Sequence, residues 1–133
     1  MRRLKQVNRM NRHNNHLHML VVDDDPIIRD MMVDILDFEG YSIRTARNGP
    51  EALEILRGDD DYLVFLDLMM PGMSGKEVCA ILEAEPALRR RHVIILMSAM
   101  DRLDESTTLK VDATIPKPFT VNDVLGVVGP YLE

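Results

Sequence analysis

The sequence predicts an α/β fold, with one five-stranded parallel sheet and helices packed on both of its faces. Short apolar runs alternate with helical patterns from about residue 17 to the end of the 133-residue chain. Residues 62–66 are apolar without interruption, which is typical of a strand covered on both faces. Apolar residues make up 46% of the chain, so one domain can form a core of its own.

The first strand is predicted over residues 18–23. A helix follows from Pro26, because proline is well placed in a first helical turn, and Gly40 ends it. Apolar residues recur along this helix at helical spacing and predict its inward face: Ile28, Met31, Ile35 and Phe38. A short second strand is predicted over residues 41–46.

The second helix is predicted to begin after Asn48, whose side chain can cap the free backbone N–H groups of the first turn. Pro50 lies in that first turn, and Gly58 ends the helix. The inward stripe of this helix comprises Ala52, Leu53 and Leu56. The uninterrupted apolar run then gives a third strand over residues 62–67.

A turn at residues 71–75 separates the third strand from the third helix. Ser74 and Glu77 have the spacing of a capping box, in which each side chain bonds a backbone N–H near the helix start. The third helix is therefore predicted to run from this box to about Ala84, and Pro86 stops it.

The last third of the chain predicts two strands and two helices. Residues 92–97 form the fourth strand and residues 113–116 the fifth. A short, weak helix is predicted over residues 101–110, because only Leu103 and Leu109 anchor it. Thr120 caps the last helix. Its predicted inward residues are Val121, Val124, Leu125 and Val128, and its end is weakened by Gly126, Gly129 and Pro130.

Polar side chains end four of the five strands. Asp23 and Asp24 end the first, Asp67 the third, Ser98 the fourth and Lys117 the fifth. In the strand order 2-1-3-4-5 these four strands are neighbours, and their carboxyl ends share one edge of the sheet. Carboxylates about 5 Å apart repel by roughly 3 kcal/mol at an effective dielectric near 20. Three such groups need a proton, a cation or a nearby ammonium to remain ionised together. Mg²⁺ fits, because it prefers oxygen ligands, and an acyl phosphate could be held beside it.

Charge is distributed unevenly along the chain. Residues 1–16 hold five basic residues and no acidic one, and the other 11 basic and 22 acidic residues leave the body at −11. We expect residues 1–16 to be a flexible basic arm and residues 17–133 to be the domain. The acidic body disfavours nucleic-acid binding. We expect neither a secretory signal nor a membrane span, since no stretch approaches the ~20 apolar residues that a spanning helix needs.

The single cysteine, Cys79, excludes an internal disulfide and favours a reducing cytoplasm. It lies in a predicted helix, where we expect a small buried residue. His13, His16 and His18 lie close together in the sequence. No cysteine or nearby carboxylate completes a metal set there, so we expect no metal at these histidines.

Four motifs together resemble the receiver domain of bacterial two-component response regulators, which is CheY-like. They are the runs at residues 21–26, 67–75, 98–99 and 117–119, with the sequences VVDDDP, DLMMPGMSG, SA and KPF. The resemblance covers about residues 17–132. It implies a flavodoxin-like, doubly wound (βα)5 fold and a cytoplasmic signalling protein.

The resemblance implies that Asp67 accepts a phosphoryl group from a histidine kinase or a histidine phosphotransfer protein. Asp24, Asp67 and the backbone carbonyl of Met69 would ligate Mg²⁺, and Asp23 would act beside them through a water. Lys117 would neutralise charge on the phosphoryl group. The protein would be an enzyme only in the sense of catalysing transfer to its own aspartate.

Ser98 would then swing to a phosphoryl oxygen and draw its loop inward, which is the family's switch. The peptide bond from Lys117 to Pro118 resembles the family's cis peptide. Asp25 is expected to be an exposed turn residue outside the site. Downstream, the resemblance implies a protein target rather than nucleic acid or membrane, and a monomer or weak homodimer.

Two features depart from the family pattern. Thr114 stands three positions before Lys117, where the family often has an aromatic switch residue, so rotation of a large ring cannot be the signal here. The segment between Ser98 and Lys117 is also short by roughly one helical turn. We therefore expect the fourth helix of the fold to be short or irregular.

Two other functions are compatible with parts of the sequence. A phosphorylation-independent interaction module, or pseudo-receiver, would keep the fold, and the departure at Thr114 favours it. The intact acid pair Asp23 and Asp24, together with Asp67, Ser98 and Lys117, opposes it. A magnesium-dependent phosphohydrolase with an aspartate nucleophile generally needs a second aspartate two residues later, where this chain has Met69.

Overall fold

A computed structural model describes residues 17–99 and 109–132 of the chain. These residues form a five-stranded, all-parallel sheet in the order β2-β1-β3-β4-β5. The predicted fold class and strand order are thereby confirmed. The strands are β1 (His18–Val22), β2 (Ile43–Ala46), β3 (Tyr62–Asp67), β4 (Val93–Ala99) and β5 (Ala113–Lys117). The helices are α1 (Pro26–Phe38), α2 (Gly49–Leu56), α3 (Gly75–Glu83), α4 (Pro86–Arg89) and α5 (Val121–Leu132).

The sheet separates two apolar clusters because alternate residues of each strand point to opposite faces. On one face, Leu20 and Val22 of β1 pack with buried residues of α2 and α3. On the other face, Met19 and Val21 pack with buried residues of α1 and α5. Strand β3 is buried along its whole length, as its apolar run predicted. The central strands are therefore covered on both sides, and their carboxyl ends lie at an edge where polar groups can meet.

Side-chain caps begin the helices where the sequence predicted them. Asn48 accepts from the Glu51 N–H at 2.9 Å at the start of α2. Ser74 and Glu77 exchange hydrogen bonds as a complete capping box at the start of α3. At α5, Asp123 N–H donates to the Thr120 hydroxyl, and the Asp123 carboxylate accepts from the Thr120 N–H. These bonds fix where each helix leaves the loop that follows a strand.

The inward face of α1 differs from the prediction. Met32 and Leu36 are its buried residues, whereas Phe38 is 88% exposed. Met31 and Met32 are adjacent apolar residues, as are Ile35 and Leu36, so helical spacing alone is compatible with two inward faces. The helix buries the face that contains Met32 and Leu36, and Ile28 and Ile35 pack at the edge of that face.

The last helix also differs from the prediction. Val124 and Val128 are buried as expected, but Val121 is half exposed and Leu125 only partly covered. The helix includes Gly126, Gly129 and Pro130 and continues to Leu132. Leu132 is buried in the apolar cluster on that face, which stabilises the final turn.

The remaining differences are at element ends. Helix α3 ends at Glu83, close to the predicted end before Pro86. Pro86 also begins the one-turn helix α4, because proline suits a first helical position. Strand β2 begins only at Ile43, and β4 extends to Ala99. Residues 101–108 of the predicted weak helix and the whole basic arm lie outside the described residues. Among the described helices, none is long and apolar enough to cross a membrane.

Candidate functional site

The polar strand ends meet at one edge of the sheet. Carboxylate oxygens of Asp23, Asp24 and Asp67 all lie within 4.8 Å of one another. Strand pairing explains the meeting, because Val22 of β1 lies beside Leu66 of β3, which places Asp23 next to Asp67, and Lys117 of β5 lies beside Ala99 of β4. Asp23 and Asp67 are buried, and Asp24 is exposed. The site therefore has two buried acids and one acid facing solvent.

Lys117 joins the two buried acids. Its Nζ donates to Asp23 Oδ2 at 2.9 Å and to Asp67 Oδ1 at 3.1 Å. Burial lowers the pKa of Lys117, but the hydrogen bonds and charges of the two carboxylates outweigh it, so the pKa lies above its ordinary value. The ammonium therefore stays charged and offsets one of the carboxylates that surround it.

Asp67 has a strongly perturbed carboxyl group. Burial and then the charge of Asp23 raise its pKa to about 6, and the charge and hydrogen bond of Lys117 oppose that rise only in part. Like charges held this close favour the binding of a cation. Asp23, Asp24 and Asp67 each offer a carboxylate oxygen, and oxygen atoms are the ligands that Mg²⁺ prefers in proteins. The three carboxylates therefore fit a magnesium site in both chemistry and spacing.

The loop after β1 is fixed by its own hydrogen bonds. Asp23 Oδ1 accepts from the Asp25 N–H at 2.9 Å, and the backbone carbonyl of Asp23 accepts from Arg29 Nη1 at 2.8 Å. Asp25 caps α1 by accepting from the Ile27 N–H at 2.9 Å, so it is the exposed turn residue that the sequence predicted. Sequence reasoning missed Arg29. Its spacing, one helical turn beyond the acidic run, is the signal that could have found it.

The loop after β3 approaches α3 closely. Leu68 N–H donates to the Met97 carbonyl at 3.0 Å, and Gly75 N–H donates to the Leu68 carbonyl at 2.9 Å. A Cβ at Gly75 would overlap the backbone carbonyl of Asp67 and lie 2.9 Å from Leu68 Cα. Glycine is therefore required at the first position of α3, beside the backbone of Asp67.

The remaining candidate residues have contrasting surroundings. Ser98 is buried, and its hydroxyl donates to the Ala99 carbonyl at 3.2 Å. Thr114 is exposed on β5, and the side chain of Met69 is half exposed. The bond between Lys117 and Pro118 is cis, as the resemblance implied. The structure thus groups the carboxylates of Asp23, Asp24 and Asp67, joins Lys117 to two of them, and places Ser98 on the neighbouring strand.

Replacing Asp67 by asparagine should stabilise the magnesium-free protein. The folded protein holds the Asp67 proton more tightly than the unfolded chain, so the carboxyl's contribution to stability falls as pH rises from 3.8 to about 6. Asparagine removes that loss but keeps an oxygen for Lys117. We expect the free energy of unfolding above about pH 6 to increase by about 1–2 kcal/mol, less than the full shift implies because the site has a solvent-facing side.

Urea denaturation at several pH values with a chelator present would measure this gain. The gain should vanish below about pH 4, where Asp67 is protonated in both states. Asp25→Asn is the matched control, because asparagine caps a helix as well as aspartate does, and it should leave stability unchanged. A variant less stable than the parent at every pH would contradict the expected repulsion.

Comparison with known proteins identifies the family. Residues 19–128 match the response regulator receiver domain, so the chain belongs to this family of two-component signalling proteins. The chain is 35% identical over 120 residues to the response regulator MprA of Mycolicibacterium vanbaalenii, which covers 88% of this chain and 51% of that protein. MprA of Mycobacterium avium is 34% identical over the same length. The chain thus spans about half the length of these curated relatives.

Solved structures give the same result. A CheY-like receiver domain protein from Methanospirillum hungatei superimposes with a TM-score of 0.75 at 26% identity, covering 86% of this chain and 93% of that one. The response regulator TrrA of Thermotoga maritima, solved in complex with Mg²⁺ and BeF, has a TM-score of 0.72 at 35% identity. The superposition covers 88% of this chain and 99% of the TrrA chain.

Proposed function

We propose that this receiver domain is the phosphoacceptor switch of a two-component phosphorelay. It takes a phosphoryl group from the phosphohistidine of a histidine kinase or a histidine phosphotransfer protein onto Asp67. The observation that carries the proposal is the bridge from Lys117 to the buried pair Asp23 and Asp67, at 2.9 and 3.1 Å. An ammonium shared by two buried acids can turn toward an incoming phosphoryl oxygen without leaving the site.

In the proposed transfer, a carboxylate oxygen of Asp67 attacks phosphorus and forms a P–O bond. The P–N bond to the partner's imidazole breaks, and the ring nitrogen leaves with the electron pair and takes a proton from solvent. The product is an aspartyl phosphate. Lys117 keeps one contact with Asp23 and neutralises charge on the transferred group.

Magnesium is the proposed cofactor, as the TrrA complex with Mg²⁺ and BeF supports for a related domain. Asp24, Asp67 and the backbone carbonyl of Met69 would hold it, with Asp23 close by through a water. When bound, Mg²⁺ would offset the charge of the carboxylates and of the phosphoryl oxygens. The hydrogen bonds of Asp23 to the Asp25 N–H and to Arg29 keep that loop in position for this role.

The proposed switch uses Ser98. Its hydroxyl would exchange the Ala99 carbonyl for a phosphoryl oxygen, which would move the end of β4 and the segment that follows it. The exposed Thr114 would contribute no ring rotation, so the signal would be carried by this backbone change. Moving such an equilibrium from 1:99 to 99:1 takes about 5.5 kcal/mol. The domain over residues 17–133 would act on a downstream protein, as a monomer or weak homodimer in the cytoplasm.

Intact mass after incubation with Mg²⁺ and acetyl phosphate tests the proposal. We expect the full chain to gain one phosphoryl group and to gain none when a chelator removes the metal. Asp67→Asn should abolish the gain, because the nucleophilic oxygen is lost. Asp25→Asn changes a neighbouring acid outside the site and should be phosphorylated like the parent chain.

Two outcomes would contradict the proposed function. A parent chain that takes up no phosphoryl group from acetyl phosphate or phosphoramidate would favour a phosphorylation-independent interaction module. Equal labelling of the parent and of Asp67→Asn would place the acceptor at another residue. Peptide mapping of the labelled protein distinguishes this second outcome from a failure of the variant to fold.

A further inference from the structure

The outer face of α1 exposes large apolar side chains. Ile27 is 74% exposed, Met31 37% and Phe38 88%, and their spacing puts them on one side of the helix. Met31 also lines a groove of about 340 Å³ with Ile28, Pro118, Phe119 and Lys117. Single exposed apolar residues are ordinary on protein surfaces, but a row of them beside an apolar groove indicates a binding surface.

Acidic residues border this apolar row. Asp30, Asp34 and Asp37 are all exposed, and their spacing places them along the same side of α1. Within residues 17–99 and 109–132 no ion pair involves them. The only basic residue of α1 is Arg29, whose Nη1 donates to the Asp23 carbonyl. The α1 face, defined here by Ile27, Asp30, Met31, Asp34, Asp37 and Phe38, is therefore apolar and negative.

The first sixteen residues of the same chain have the complementary composition. They carry five basic residues and no acidic one, and Leu4, Val7 and Met10 are interleaved with the basic residues. This combination is matched to a surface that is apolar along one row and acidic along the next. The rest of the chain carries a net charge of −11, so no other segment of comparable length offers the same excess of positive charge.

The point of attachment brings the basic arm to this face. The arm joins the domain at Leu17, and Met19 N–H donates to the Ser42 carbonyl at 2.8 Å. Ser42 follows Phe38 by four residues, so the arm leaves the domain near the end of α1. Helix α1 has 13 residues and is about 20 Å long. An extended segment of sixteen residues spans at most about 55 Å, so the arm can reach along the whole helix.

We propose that residues 1–16 bind in cis to the α1 face, placing their basic residues against the row of aspartates and their apolar residues against Ile27, Met31 and Phe38. Ion pairs at exposed positions are individually weak. The covalent link supplies an effective concentration of about a millimolar or more, so weak contacts are enough to keep the face occupied. Any partner that uses this face has to displace the arm.

A paramagnetic label on the arm tests the contact in the full chain. Asn8→Cys in a Cys79→Ala background carries the label in the middle of the arm and leaves its basic and apolar residues intact. We expect loss of the amide signals of α1, with those of α2 and α3 on the other side of the sheet retained. The signals of α1 should return at about 1 M salt, where the screening length falls to about 3 Å.

Matched variants identify the binding surface. Asp30→Asn, Asp34→Asn and Asp37→Asn combined should restore the α1 signals. The control combines Glu54→Gln, Asp59→Asn and Glu83→Gln, which removes the same charge from exposed positions elsewhere and should leave the α1 signals lost. Equal loss of signal over all helices, or an effect unchanged by the aspartate variants, would overturn the proposal. Mixing spin-labelled chains with isotope-labelled, unmodified chains distinguishes docking between two copies, which would also overturn docking in cis.

Discussion

Replacing Lys117 by methionine should lower the free energy of unfolding near pH 7 by about 3 kcal/mol in magnesium-free buffer. The variant leaves Asp23 and Asp67 buried without the ammonium that contacts both. Methionine keeps most of the apolar length of the side chain, so the loss reports mainly the charge. Uncompensated buried carboxylates are costly because burial removes the water that would solvate them.

The pH dependence of this loss has a definite sign. Lys117 lowers the pKa of Asp67 and so works against the rise to about 6 that burial and Asp23 produce. Without the lysine the pKa of Asp67 rises further, and the carboxyl is protonated at a higher pH. The deficit of the variant should therefore shrink as pH falls toward about 6, because a neutral carboxyl replaces the unpaired charge, and change little below that, where Asp67 is protonated in both folded proteins.

Urea denaturation of both proteins near pH 7 and near pH 5 would measure the effect. Lys76→Met is the matched control, since Lys76 is an exposed residue of α3 that makes none of the ion pairs found among the described residues. It should change stability by no more than about 0.5 kcal/mol. Added Mg²⁺ should recover part of the loss in Lys117→Met. A deficit that is the same at both pH values would mean that packing, rather than charge, holds this residue.

The sequence contained most of the information that positions the site. The carboxyl ends of parallel strands all lie at one edge of the sheet. Asp23, Asp67 and Lys117 could therefore be placed together once the strand order was predicted. The caps at Asn48 and Ser74 could also be predicted, for a different reason. Each depends on a local bond between a side chain and the backbone a few residues away.

Other features depend on contacts that are distant in sequence and could not be predicted. His92 is buried, and its ring accepts from the Tyr62 N–H at 3.0 Å and lies 3.0 Å from the Leu56 carbonyl. No spacing rule relates these three residues. The rotation of α1 about its axis likewise depends on distant contacts, because packing against the sheet determines which of its two apolar faces is buried. Arg29 contacts the backbone of Asp23 only because that rotation directs it toward the site.

Gly75→Ala should destabilise the domain by about 1–3 kcal/mol, the usual cost of overpacking. The added Cβ would overlap the Asp67 carbonyl oxygen and press on Leu68 Cα. Neither group can move freely, because Asp67 ends a wholly buried central strand and Leu68 N–H is bonded to Met97. Relief requires both the start of α3 and the Asp67 carbonyl to shift, which also weakens the bond from the Gly75 N–H to Leu68.

The same substitution elsewhere in the chain should have the opposite sign. Gly126 lies within α5, and a Cβ there would meet nothing within 4 Å. Alanine is favoured over glycine in a helix interior by up to about 1 kcal/mol, so Gly126→Ala should stabilise the protein. Denaturation curves of the two variants, measured side by side, separate close backbone approach from helix propensity. Equal stabilisation by both would show that α3 yields to the methyl group without cost.

The two variants should also differ at the site. Because the carbonyl and the carboxylate belong to one residue, a backbone displaced at Asp67 turns its side chain away from Lys117, which now holds it at 3.1 Å. Uptake of phosphoryl groups from acetyl phosphate should then be slower in Gly75→Ala and unchanged in Gly126→Ala. A displacement of about 1 Å can cost a hundredfold in rate when reacting atoms must be aligned. Unaltered uptake in Gly75→Ala, together with the loss of stability, would mean that the strain is relieved within α3.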